Sequence, residues 1–316
     1  MRVALVSSWG TPCGIAEHSA QLMNAVVAAD RSIEIQVDPD WLDPEAFWRD
    51  RADYDLVHLN YHRGLHSRWT PTLGVPDVIE AGLAVVITFH DTYETQPDQL
   101  PWELLDRVAA MVVHEPCDLQ RHEKVRYWRQ PCPERTGLHV PSHRAFDGGW
   151  HPTLGTVGFD FPWKNYDLLA QVTGELGWNL RIVGQVDTVR AEQLARLNPR
   201  IGFDGYTSTD YAIAALERCD ATCFLYNCAN SGTSGAIRLG MAAGKPLLAF
   251  RACRQMRDLI EEDAITWLDN SAQLPNALTQ MRFGYDAGLI ALAHRESWVR
   301  GGQRYAALYR EIAASL

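Results

Sequence analysis

None of the seven cysteines forms a C-x-x-C pair, and the cluster Cys219, Cys223 and Cys228 matches no zinc-ligand spacing. A disulfide framework is not expected, and scattered thiols of this kind suit a reducing compartment. Long apolar runs are also missing, so no segment approaches membrane-spanning length. The opening Met1-Arg2-Val3-Ala4-Leu5-Val6 enters a strand directly, without the apolar stretch and cleavage site of a signal peptide. Positive charge is in deficit: 29 Lys and Arg face 39 Asp and Glu, a net charge of −10. That balance argues against broad, sequence-independent nucleic-acid binding. Low-complexity segments and short-period repeats are lacking. The expectation is a cytoplasmic protein, with a peripheral position at a membrane surface left open.

What is present describes an ordinary globular chain: 316 residues, 47% hydrophobic and 22% charged. That length exceeds the size at which single cores stop growing, so two domains are expected. Strands are predicted at 3–7, 33–37, 55–59, 84–89, 110–113 and 137–140, separated by helical or irregular connections. This is the alternation of a parallel sheet covered on both faces. After a linker around 141–150, a second series follows at 154–158, 180–183, 201–203, 220–226, 247–250 and 264–268. A last amphipathic helix carries Trp298, Tyr305, Leu308, Tyr309 and Ile312 on one side.

Chemistry is expected at the strand ends. Between the first strand and the first helix lies Gly10-Thr11-Pro12-Cys13-Gly14, where glycine lets a ligand approach the backbone. The spacing is neither G-x-G-x-x-G nor a P-loop, so no dinucleotide or Walker fingerprint is met. His58, His90 and His114 each stand at the C-terminal end of a strand, the edge where open parallel sheets bind ligands. Each is also compatible with a satisfied core histidine. The stretch Tyr61-His62-Arg63-Gly64-Leu65-His66-Ser67-Arg68-Trp69-Thr70 reads as a polar, aromatic surface loop, suited to holding a sugar or an anion or simply solvated. Arg121, Lys124, Arg126, Arg129 and Arg135 form a local basic run, either a solvated helix face or an anion-binding patch.

In the second half, Asn230-Ser231-Gly232-Thr233-Ser234-Gly235 precedes a short helix that Thr233 or Ser234 would cap and Gly244 would end. Strand, small-residue turn, helix and strand make one βαβ unit. It is an anion-binding helix N-terminus or a crossover with no ligand.

Taken together, the chain resembles the GT-B glycosyltransferases, specifically the retaining nucleotide-sugar enzymes of glycosyltransferase family 4. Gly10 to Ile15 is similar to the family's N-terminal glycine loop, and Val86-Ile87-Thr88-Phe89-His90-Asp91 to its T-x-H-D element. Gly158-Phe159-Asp160-Phe161-Pro162-Trp163-Lys164 sits where the family has G-R-x-x-x-x-K. Ser231 to Pro246 sits where it has E-G-F-G-x-x-x-x-E-A-M-A-x-G-x-P. The departures are specific: the paired glutamates fall on Ser231 and Leu239, and the arginine on Phe159.

The resemblance implies two Rossmann-like, doubly wound α/β domains with an interdomain cleft: an acceptor domain over 1–147, a donor domain over 148–294, and a helix over 295–316 that crosses back to the first. It implies transfer of a sugar from a nucleotide diphosphate sugar, UDP- or GDP-linked, with retention, with no cofactor and no metal. His90 and Lys164 are the implied catalytic residues. Gly14, Lys164, Gly184, Tyr206, Thr207, Ser231, Gly232, Thr233 and Ser234 would hold the donor, with Arg238 a candidate second cation. His58, Tyr61, Arg63, Trp69 and His114 would face the acceptor, an anionic one such as a sugar phosphate, a lipid phosphate or a modified nucleic-acid base. The missing glutamates leave open a non-catalytic nucleotide-sugar or glycan binder, and the fold leaves open a sugar-nucleotide epimerase.

Overall fold

Continuous apolar runs such as Val3-Ala4-Leu5-Val6 and Ala84-Val85-Val86-Ile87 can be buried on both faces only inside a covered parallel sheet, and that is how they are used. A computed structural model describes residues 1–50, 54–62, 64–66, 68–69, 74–90, 102–135, 137–140, 150–227 and 232–316. In chain order the first elements are β1 (Arg2–Val6), α1 (Gly14–Ala29), β2 (Glu34–Val37), α2 (Pro44–Asp50), β3 (Leu56–Tyr61) and α3 (Val75–Glu80). Then come β4 (Ala84–Phe89), α4 (Trp102–Arg107), β5 (Ala110–Val113) and β6 (Val125–Tyr127). The second series is β7 (Thr153–Val157), α5 (Tyr166–Glu175), β8 (Asn179–Val183), α6 (Thr188–Leu197), β9 (Ile201–Gly205) and α7 (Thr209–Glu217). It continues through β10 (Ala221–Phe224), α8 (Gly235–Ala243), β11 (Leu247–Phe250), β12 (Ile265–Leu268), α9 (Leu274–Thr279), α10 (Ala287–Arg295) and α11 (Trp298–Ala313).

The chain divides into two units: 1–131 with 230–233 and 296–316, and 132–229 with 234–295. The break after Pro131 is earlier than the linker expected near 147, because Cys132 and Val140 are already buried in the second unit's core.

In the first unit the strands run in the order β2-β1-β3-β4-β5-β6, all parallel. The strand expected at 137–140 is not formed; the sixth strand is β6, inside the basic run. Arg126 and Tyr127 are only partly buried there, as an edge strand allows. The C-terminal helix α11 buries Trp298, Tyr305, Leu308, Tyr309 and Ile312, together with Leu22 and Val26 of α1. The two helices meet at Gly302, where a Cβ would come within 2.3 Å of the Ala25 carbonyl oxygen. Only glycine permits that backbone approach.

In the second unit the order is β12-β11-β10-β7-β8-β9, again parallel. Two cores, one on each face, enclose the sheet. In both sheets the strand order reverses beside the first strand of its series: between β1 and β3, and between β7 and β10. At such a reversal the connections leave on opposite faces, which opens a crevice at the C-terminal edge.

Candidate functional site

At the second unit's reversal, β7 runs into Gly158, whose φ of +128° is left-handed backbone. A Cβ there would lie 1.9 Å from Lys164 Nζ, so any side chain would push the ammonium out of its place. Lys164 ends a 3-10 turn over Pro162–Lys164, steered back by Asn165, which takes a left-handed φ of +54° and donates Nδ2 to the Leu225 carbonyl at 2.5 Å. The lysine is 7% exposed and its ammonium lies 5.0 Å from the Tyr226 ring centroid. Among the described residues no carboxylate comes within ion-pair distance of it. Burial lowers its pKa from 10.5 to about 8, with Asp160 opposing that shift. A retained charge without a counterion is costly unless something outside the chain offsets it.

The first turn of α8 adjoins this lysine through Ala236, 3.7 Å from the same Cβ position at Gly158. Ser234 is the N-cap, accepting from the Ile237 amide at 3.5 Å, and Gly244 closes the helix at φ +65°. Gly184 also faces Gly158, whose carbonyl oxygen would sit 2.0 Å from a Cβ. Tyr206 follows β9 and stacks on Phe159 at 6.0 Å and 14°. Thus Lys164, Gly184 and Ser234 share one edge, with Tyr206 beside it and the Thr207 hydroxyl donating to the Ser208 carbonyl at 3.4 Å. Arg238 contributes no free charge. It is buried against Asp258 in an ion pair, on the inward face of α8.

The first unit's reversal is built differently, from neutral polar groups. Ser7 follows β1, Asn60 lies near the end of β3 and His90 follows β4. Helix α1 turns His18 and Ser19 inward. Asn60 Nδ2 donates to Ser19 Oγ at 2.6 Å, and Ser19 donates to Ser7 Oγ at 2.6 Å. Asn60 Oδ1 lies 2.6 Å from His90 Nε2. His114 Nδ1 contacts the Trp128 carbonyl at 2.7 Å, so that nitrogen carries the proton. Its Nε2 is therefore the acceptor in the 3.2 Å contact with His18 Nε2, which leaves His18 Nδ1 as a buried acceptor with no partner among the described residues. Burial first, and the neighbouring imidazoles second, hold the pKa values of His18 and His90 well below 6.5.

A narrow recess opens here, lined by His90, His114, Glu115, Cys117, Gly232 and Thr233 among others. Gly232, at φ +92°, approaches the His90 carbonyl so closely that a Cβ would lie 2.4 Å from it, and its amide donates to Glu115 Oε2 at 3.2 Å. Thr233 does not cap α8; its hydroxyl donates to Gln130 Oε1 at 2.6 Å. Gly14 opens α1 with no side-chain cap preceding it, and a Cβ there would meet no atom of the described residues within 4 Å.

The structure brings His90, His114, Gly232 and Thr233 to one recess, whereas three expected acceptor residues lie in the interior. His58 is 0% exposed, held between Thr88 at 2.8 Å and the Tyr309 hydroxyl, and its pKa is lowered to about 3. Tyr61 stacks on Phe89 inside the sheet's cover, and the buried Trp69 donates its indole N–H to the Trp41 carbonyl at 2.9 Å. Their apolar surface is worth more in that core than in a loop. Ser231 and Arg63 lie outside the described residues. The basic run is neither a helix nor an unpaired patch: Arg121 pairs with Asp118, Arg126 with Glu311, Arg129 with Glu296 and Arg135 with Glu217, and Lys124 reaches the Asp106 carbonyl. His18 and Ser19 were not among the expected site residues, although their i+4 and i+5 spacing from Gly14 sets them on the face of Leu22 and Val26.

No family model matches the chain, and no curated protein matches it. Solved structures do. Anabaena Alr3699/HepE, crystallised in complex with UDP and glucose, is similar at 15% identity and a TM-score of 0.68, with 100% of each chain covered. The sucrose-phosphate synthase of Thermosynechococcus elongatus is similar at 19% identity and a TM-score of 0.75, again over 100% of each chain. AviGT4, a glycosyltransferase involved in avilamycin A biosynthesis, is similar at 14% identity and a TM-score of 0.65, covering 100% of this chain and 99% of that one. These neighbours are GT-B glycosyltransferases, and the chain has their two-sheet α/β fold.

Proposed function

We propose that the chain is a glycosyltransferase that moves a hexosyl group from a UDP- or GDP-linked sugar to a hydroxyl acceptor, with retention and without a metal. The observation that carries this reading is Lys164, a buried ammonium with no carboxylate partner among the described residues, beside the first turn of α8. Those two features aim positive potential at one place, which suits a diphosphate. UDP and glucose bound to a structural neighbour support a donor of this class.

In this reading the bond from the anomeric carbon to the diphosphate oxygen breaks and its electron pair leaves with the diphosphate. Lys164 and the α8 amides stabilise the charge that develops there. The acceptor oxygen bonds to the anomeric carbon on the same face, and its proton passes to the departing diphosphate. Tyr206 and Gly184 border the base end of the donor. His90 would accept a hydrogen bond from a sugar hydroxyl. The acceptor is left unassigned, because the paired basic run and the buried Tyr61 and Trp69 no longer favour an anion. The reaction is expected in the cytoplasm.

The test is a panel of nucleotide sugars assayed for transfer and for hydrolysis, with wild type and Lys164→Met. Donor turnover that falls on the order of a hundredfold in the variant supports the reading, as for lost transition-state electrostatics. Equal turnover in both removes Lys164 from the reaction. A second reading, a non-catalytic nucleotide-sugar binder, is favoured by Phe159 in place of the family's arginine and by Arg238 being locked to Asp258. Saturable donor binding with neither transfer nor hydrolysis would select it.

A further inference from the structure

We infer that Asn60 is a positioning residue that fixes His90 as its Nε2–H tautomer, so that the imidazole meets a ligand with the bare Nδ1 lone pair. The two ends of the Asn60 amide are told apart by their surroundings. One end lies 3.4 Å from the Ile15 carbonyl oxygen, an atom that can only accept. That end is therefore the NH2 group, and it also reaches Ser19 Oγ at 2.6 Å. The other end is the carbonyl oxygen, and it lies 2.6 Å from His90 Nε2. Two acceptors cannot share such a contact, so Nε2 carries the proton. Flipping the amide would set one oxygen against the Ile15 carbonyl and a donor against His90, two errors for one rotation. All the atoms concerned lie in the first unit, on or beside its strand-order reversal.

The consequence is a choice of ligand chemistry. Among the described residues nothing pairs with His90 Nδ1, and His90 lines the recess with His114 and Gly232. A neutral imidazole presenting Nδ1 accepts a hydrogen bond and gives none. It is matched by a hydroxyl, as on a sugar, and mismatched by a phosphate oxygen. Had the tautomer been the other one, the preference would reverse. The ligand half of this inference rests on the glycosyl-transfer reading, whereas the tautomer half does not.

The experiment separates the two. Histidine labelled with 15N is incorporated into the full chain, and long-range proton–nitrogen correlation spectra are recorded without ligand, His90 being assigned by its loss in His90→Gln. The expected wild-type result is a protonated-type shift at His90 Nε2 and an unprotonated-type shift at Nδ1. In Asn60→Ala the two shifts are expected to move together as the tautomers mix. His18 and His114, fixed by the Trp128 carbonyl, should keep theirs and thereby show that the unit is folded. Where Asn60→Ala does not fold, Ser19→Ala, which removes one anchor of the amide, is read instead. A wild-type Nδ1–H tautomer, or unchanged His90 shifts in the folded variant, overturns the proposal. If the shifts behave as expected, the ligand half is read with a donor sugar: kcat of Asn60→Ala is expected to fall about tenfold with donor KM within about twofold, as for one misdirected hydrogen bond. An unchanged kcat with mixed tautomers would overturn the ligand half alone.

Discussion

The two units bury polar groups at equivalent places and in opposite ways. At the β1/β3 reversal the first unit seals neutral side chains whose hydrogen bonds run from Ser7 through Ser19 and Asn60 to His90. At the β7/β10 reversal the second unit seals a cation that no carboxylate among the described residues reaches at ion-pair distance, with Asp160 acting only from farther away. Elsewhere the same second unit pairs its buried cations: Arg181 is held by both oxygens of Asp204 at 2.7 and 2.8 Å, and Arg238 by Asp258. The contrast teaches that burial alone does not explain Lys164. A fold that pairs its other buried charges and leaves one unpaired stores free energy at that point, and such local disagreements mark function more often than structure.

The comparison is broken most forcefully by acid. His18, His58 and His90 are held neutral with native pKa values below 6.5, whereas the unfolded chain titrates near that value. Unfolded chains therefore bind the extra protons as pH falls, and stability present above about pH 6.5 is lost from there downward, toward about pH 3 for His58. Each group contributes about 1.4 kcal/mol per pH unit in that window. Urea unfolding from pH 7.5 to 5 should show the decline, and His58→Gln should flatten it by one group's share. Stability independent of pH over that range would end the claim that the first unit's interior is neutral by necessity.

A smaller effect of the same sign lies at higher pH in the second unit. Lysine held at a pKa of about 8 rather than 10.5 disfavours folding at neutral pH by about 3 kcal/mol. Raising the pH from 8 toward 10.5 should relieve that cost, because the unfolded chain keeps its proton there and the native one does not. Lys164→Met should accordingly raise Tm while weakening binding of a nucleoside diphosphate, measured by calorimetry. A variant that loses both stability and binding would make Lys164 an ordinary core residue.

The mildest test sharpens the boundary of the first unit. Gly302→Ala pushes a methyl group toward the Ala25 carbonyl and should cost about 2 kcal/mol by forcing α1 from α11. The acid sensitivity should grow in this variant, and the Lys164 titration should not move. An equally stable Gly302→Ala protein would show that α1 and α11 shift apart without loss.

How much of this was legible beforehand follows from what each residue reports about itself. Alternating strands and crossover helices gave away the fold, since period and punctuation are local properties, and Gly244 announced the end of α8 while its start was narrowed to Thr233 or Ser234. Strand β6 was hidden because Arg126 and its charged neighbours read as a solvated face, and the parallel pairing with β5 that makes it a strand is not local. Tyr61 and Trp69 read as surface residues because of the polar company they keep in sequence, whereas their real neighbours, Phe89 and Trp41, are distant along the chain. The role of Asn60 was unreadable for the same reason: the Ile15 carbonyl that orients it belongs to another element.

The placement of α11 gives the first unit an assembly problem. Its core includes Trp298, Tyr305 and Tyr309, which follow the whole second unit in the chain, while the sheet they cover is made from residues 2–127. The apolar backs of β1, β3 and β4 therefore stay wet, or shielded by chaperones, until α11 has been made, whereas the second unit has all its strands before that. Pulse proteolysis of stalled nascent chains should find residues 150–295 resistant first, and the amino-terminal half protected only once α11 has emerged.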